Sequence, residues 1–177
     1  MKIKSVLVVG LSLLLASVAF GMMRAQPIAE ADAPAQVLFV CRNGVSMSVW
    51  AAAYFNRLAS ARGLRERATA RAAIPSYTDV PFRMVFALAV DGFRLDGYRP
   101  RVVSAEDVQG ATQVVLVRGT DDTVLPPDAQ AKVSASEVWQ GFPPMREDYF
   151  PSRAALRARV ENLVERVAAN TSSLTPE

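Results

Sequence analysis

The residues able to do chemistry gather in one short stretch, Cys41-Arg42-Asn43-Gly44-Val45-Ser46-Met47-Ser48. Cys41 is the only cysteine of the chain, and Ser48 places a hydroxyl seven positions later. The chain has no histidine, which rules out a Ser-His-Asp triad, a His-activated thiol, an HExxH zinc site and a mixed Cys/His metal cluster. Carboxylate, arginine, thiol and hydroxyl chemistry remain, and neither a metal nor a cofactor is expected.

The flanking elements give this stretch its setting. Gln36 to Val40 is a short apolar run suited to a buried strand, and Met47, Trp50, Tyr54 and Leu58 recur at helical spacing. Cys41 therefore stands at the mouth of a strand-loop-helix unit. Backbone N–H groups and a helix N-terminus converge at such a point, which makes it a natural seat for an anion. Taken alone, Cys41 also fits a small core residue, Ser48 an ordinary first-turn serine, Asn43-Gly44 a tight turn and Met47 a core-facing helix position.

Further along, Arg67 to Ala73 alternates like a strand after a stop at Gly63, and Pro81 to Val90 reads as a helix ended by Gly92. Ser104 to Asp107 suits the cap of a short helix, and Gln113 to Val117 is the clearest later strand. Lys132 to Trp139 is a weaker strand between two loops, Arg118 to Gln130 and Gly141 to Pro151. Ser152 opens a last helix with Leu156, Val160, Leu163, Val164 and Val167 on one face. Alternating strands and helices predict an α/β three-layer sandwich, with a central parallel sheet of about four strands and helices on both faces.

Lys2 and Lys4 precede an apolar run from Val6 to Phe20, followed by small residues at Ala19 to Gly21, which is the pattern of an export signal. The expected organisation is a signal peptide at 1–21, a lead-in at 22–35, one domain at 36–170 and a tail at 171–177. The product would be periplasmic or secreted, the alternative being a retained membrane anchor over residues 5–23. Removing Lys2 and Lys4 leaves a net charge near +1, and no basic stripe with interleaved aromatics marks a nucleic-acid partner. No protein partner can be read from the sequence.

Around Cys41 the chain resembles the low-molecular-weight protein tyrosine phosphatases and the arsenate reductases that share their fold. Their motif, Cys-x-x-Asn-x-x-Arg-Ser after a hydrophobic strand, is matched by Cys41 and Ser48, with Gly44 at the Asn position and Met47 at the Arg position. A second similar stretch runs from Gly92 to Arg101, with Tyr98 in place of the usual His. The resemblance implies Cys41 as nucleophile, Ser48 as its hydrogen-bond donor, and residues 42 to 47 as an anion cradle. That cradle comprises Arg42, Asn43, Gly44, Val45, Ser46 and Met47, with the Arg42 side chain expected to point away from it.

The resemblance also implies an Asp-Pro general acid, but Pro143 occupies the Asp position, leaving Asp148 as the carboxylate that could substitute. A thioether cannot supply the planar fork of donors that an arginine offers an oxyanion. The implied function is thus a phosphatase-like domain that binds a phosphate-like oxyanion or phosphorylated ligand without catalysis. The alternative is an active cysteine-dependent phosphatase or a single-thiol arsenate reductase.

Overall fold

The most apolar run of the domain forms the middle of the sheet. Val37–Cys41 (β1) is buried at every position, so it has no solvent face and must be covered on both sides. The computed structural model describes residues 26–27, 37–74, 77–120, 122–130, 136–145 and 147–173. The expected signal, most of the lead-in, the first part of the expected strand Lys132 to Trp139 and the last residues of the tail lie outside these.

After β1 come Met47–Ala61 (α1), Ala68–Ala72 (β2), Phe82–Val90 (α2), Ala105–Gly110 (α3), Gln113–Val117 (β3), Pro127–Gln130 (α4), Glu137–Trp139 (β4) and Tyr149–Ser173 (α5). The strands are parallel in the order β2-β1-β3-β4. Alternation along β1 divides the core. Val37, Phe39 and Cys41 pack with Trp50 of α1, Leu88 of α2 and Leu156 of α5, whereas Leu38 and Val40 pack with Val108 of α3 and Ala129 of α4. The result is a three-layer α/β sandwich.

Local chemistry sets several boundaries. Gly63 and Gly92 follow α1 and α2 with φ of +69° and +75°, a conformation that only glycine adopts without strain. Ser104 and Asp107 form a reciprocal capping box at the start of α3. The last helix begins at Tyr149 rather than Ser152, because the buried Ser152 turns its hydroxyl back to the Pro143 and Asp148 carbonyls, at 2.7 and 2.6 Å. It also runs past residue 170, to Ser173. The expected loop from Arg118 to Gln130 contains a single 3-10 turn, Asp122–Val124, and the short helix α4.

A two-residue parallel pairing joins Gln26–Pro27 to Phe93–Arg94, just beyond α2. In the main sheet, Cys41 is in register with Ala72 and Val117, and Val117 with Trp139. All four strands therefore end at one edge, where parallel α/β sheets place their ligands.

Candidate functional site

Cys41 is the last residue of the central strand, and residues 42 to 46 carry the chain into α1. The loop is held from behind through its carbonyls. Ala73 N–H donates to the Cys41 carbonyl at 2.9 Å, Ile74 N–H to that of Arg42 at 3.0 Å, and the Tyr98 hydroxyl to that of Gly44 at 2.7 Å. In a planar trans peptide the N–H points opposite to the C=O, so tying these carbonyls back turns the amides of Arg42, Asn43 and Val45 the other way. The amides of Asn43 through Ser48 have no acceptor among the described residues.

Gly44 makes this path sterically open. Its φ is +62°, and a Cβ there would lie 2.9 Å from the Ala72 nitrogen. No L side chain fits so close to a neighbouring strand. No acid of its own first turn neutralises the α1 N-terminus, and Ser46 makes no side-chain cap there. The positive end of the helix is left uncompensated.

Within this cradle, Cys41 Sγ lies 2.9 Å from Ser48 Oγ, and both groups are buried. Met47, at 5% exposure, belongs to the apolar core and also forms part of the wall in front of the loop. A cleft of about 750 Å³ opens there, walled by Val45, Met84, Met145, Tyr77 and Tyr149, with Arg42, Arg83 and Arg118 as its charged groups. All three arginines are exposed, and no carboxylate lines the cleft among the described residues. Arg42 was expected to point away; at the lip of the loop it remains exposed and lines the outer cleft.

Arg118 directly follows β3 and adopts φ of +33°. Its backbone N–H donates to the Trp139 carbonyl at 2.9 Å and its Nε to the Phe142 carbonyl at 2.8 Å, which fixes it against the far wall. Tyr149 is held differently. Its hydroxyl lies 2.6 Å from Asp91 Oδ2 and 2.9 Å from the Ala87 carbonyl, and Asp91 also receives Trp50 Nε1 and pairs with Arg153. Burial, reinforced by the Asp91 carboxylate, pushes the Tyr149 phenol far above its ordinary value. It remains a neutral donor locked into the wall.

The structure thus brings together Cys41, Ser48 and the loop residues, with Gly44 shaping the path from behind. Asp148 is placed elsewhere. It is exposed, its N–H donates to the Pro144 carbonyl at 2.9 Å, and it is not part of the cleft wall. Sequence reasoning missed Arg83, Arg118 and Tyr149. Arg118 had a usable signal, since it follows the clearest later strand and so falls at the ligand-binding edge of a parallel sheet.

No family model and no curated protein matches the chain. Solved structures do. The arginine phosphatase YwlE from Geobacillus stearothermophilus superposes with a TM-score of 0.67 at 14% identity, over 81% of this chain and 99% of that one. A low-molecular-weight protein tyrosine phosphatase from T. tengcongensis gives 0.59 at 20% identity, over 75% and 99% of the two chains. An arsenate reductase in its phosphate-binding state gives 0.57 at 20%, over 75% and 98%. The chain has the low-molecular-weight protein tyrosine phosphatase fold. The likeness spans nearly the full length of these structures.

Proposed function

We propose that this chain is an exported phosphatase-like domain that holds a phosphate-like oxyanion, or the head of a phosphorylated ligand, on the Cys41–Ser48 loop without turning it over. The observation that carries this reading is the composition of the cleft. Three arginines line it and no carboxylate does among the described residues, while Met47 takes the place in the motif where the resemblance puts a clamping arginine. Such a site attracts an anion and, among the described residues, lacks a carboxylic acid to protonate a leaving oxygen. Absence of a general acid costs about 10² to 10⁴ in rate, and an arginine in contact with a transferring phosphoryl group is worth about 10³ to 10⁵. Support for the ligand class comes from the arsenate reductase of the same fold that was solved with phosphate bound.

The test is an assay of the purified chain with phosphomonoesters, and with arsenate plus a small thiol, using Cys41→Ser as control. No Cys41-dependent turnover is expected; clear Cys41-dependent turnover would replace this reading with an active phosphatase or single-thiol reductase. Export rests on Lys2, Lys4 and the Val6 to Phe20 run. Fractionation and N-terminal sequencing should find the chain outside the cytoplasm, either starting near Met22 or intact in the membrane. A soluble cytosolic full-length product contradicts export.

A further inference from the structure

Helix α2, FRMVFALAV, carries a single polar side chain, Arg83, in nine residues. A helix apolar on every side is normally surrounded by protein or lipid, yet α2 buries only Met84 and Leu88. Phe82, Phe86 and Val90 follow one another at i, i+4 and i+8 and are 80%, 64% and 58% exposed. Val85 and Ala89 flank them, so the outer face is continuously apolar. Phe150, the neighbour of the Tyr149 that bonds to the Ala87 carbonyl, adds a further exposed ring. Contiguous apolar faces of this kind mark contact surfaces.

The path of the chain indicates what covers this face. Gln26–Pro27 pair with Phe93–Arg94, which begin three residues beyond the end of α2 at Val90. The apolar run that starts near Val6 extends through Met23, leaving only Arg24 and Ala25 before the fold is joined at Gln26. The three Cα–Cα steps from Met23 to Gln26 reach no more than about 11 Å. We infer that the apolar N-terminal run is retained in a bilayer and that the outer face of α2 lies on the same bilayer, with Phe82, Phe86 and Val90 in its interfacial layer.

The charges agree with a lipid surface. Arg83, at the edge of the apolar face, is the only charged residue of α2, and an arginine there can keep its head among anionic headgroups while its stem stays apolar. The acids that flank α2 in sequence are turned to other partners: Asp91 pairs with Arg153, and Asp79 with Arg99. Among the described residues no helix is long and apolar enough to cross a membrane, so α2 would rest on the surface.

The experiment uses the full chain, isolated from membranes and reconstituted in vesicles of phosphatidylethanolamine and phosphatidylglycerol. In a Cys41→Ser background, nitroxide labels are placed through Phe86→Cys, Val90→Cys and, on the opposite layer, Glu106→Cys. All three positions are exposed, so the labels leave the core intact. Labels at 86 and 90 should be several-fold more accessible to molecular oxygen than to a water-soluble nickel chelate, relative to the label at 106. Equal accessibility at all three sites overturns the inference. So does protection of 86 and 90 from both reagents, which would mean that a protein surface covers α2, and so does recovery of the chain only as a processed form that does not bind the vesicles.

Discussion

Ser48 Oγ lies 2.9 Å from Cys41 Sγ, at the second residue of the helix that follows the loop, and both residues are buried. In this position the hydroxyl can donate to the sulfur when it is ionised. A hydrogen bond to a charged group is worth about 1.5 to 3 kcal/mol, or roughly tenfold and more in a rate that passes through the anionic sulfur. Ser48→Ala should therefore slow alkylation of Cys41 by iodoacetamide about tenfold at neutral pH, with little change in melting temperature. An unchanged rate would make Ser48 an ordinary buried first-turn serine.

Gly44 and Tyr98 should behave as one structural unit. Gly44→Ala forces a Cβ to within 2.9 Å of the Ala72 nitrogen at φ of +62°. The left-handed backbone alone costs about 1 to 2 kcal/mol for an L residue, before the clash is counted. Tyr98→Phe leaves the Gly44 carbonyl without its donor, a loss of about 1 to 3 kcal/mol for a buried group. Chemical denaturation of the two variants checks the magnitudes, and both variants should also lose phosphate affinity because the loop is no longer held from behind.

Acid stability should depend on a pair remote from the cleft. Burial alone would raise the Asp107 carboxyl, but the Arg71 guanidinium at 2.9 Å and the Ser104 donors outweigh it and hold the group below its ordinary value. A carboxyl lowered on folding stabilises the native state above its unfolded pKa, near 3.8, and that stability is lost as pH falls through the lower native value. Asp107→Asn should remove this part of the acid transition. At neutral pH it should also cost roughly 3 kcal/mol, because the buried ion pair with Arg71 would be broken. Urea denaturation at several pH values reads both effects.

Met47→Arg separates charge from catalysis. Two charge-assisted bonds from a guanidinium should raise phosphate affinity at least tenfold. Met47 is 5% exposed and packs in the core, so the variant should also melt at a lower temperature. Any turnover the variant gains should be confined to aryl phosphates with acidic leaving groups, since no general acid is added. Lower stability with no gain in affinity would place residue 47 outside the reach of the anion.

What the sequence revealed divides along physical lines. The runs that became β1 and β3 were legible because a strand buried on both faces must be apolar throughout, and the Ser104–Asp107 cap because its partners are three residues apart. Cys41 and Ser48 were legible because one helix turn after a loop fixes their approach. The link from Tyr98 to Gly44 spans 54 positions and the meeting of Trp50, Tyr149 and Arg153 at Asp91 spans 41 to 62, and no local pattern encodes such contacts. Helix α2 was recognised, but its apolar residues run all round, so periodicity could not say which face is buried. Asp148 was selected by its distance in sequence to the last helix, and the early start of that helix at Tyr149 places it on the surface.

The central claim, that the Cys41 loop holds an oxyanion through backbone amides, is tested most directly by titrating the chain with phosphate in a calorimeter, in wild type and in Cys41→Ser. The expected result is a single weak site with Kd about millimolar in both proteins, because the amides that bind the anion do not require the sulfur. Absence of any binding in either protein, at phosphate concentrations well above millimolar, would contradict it.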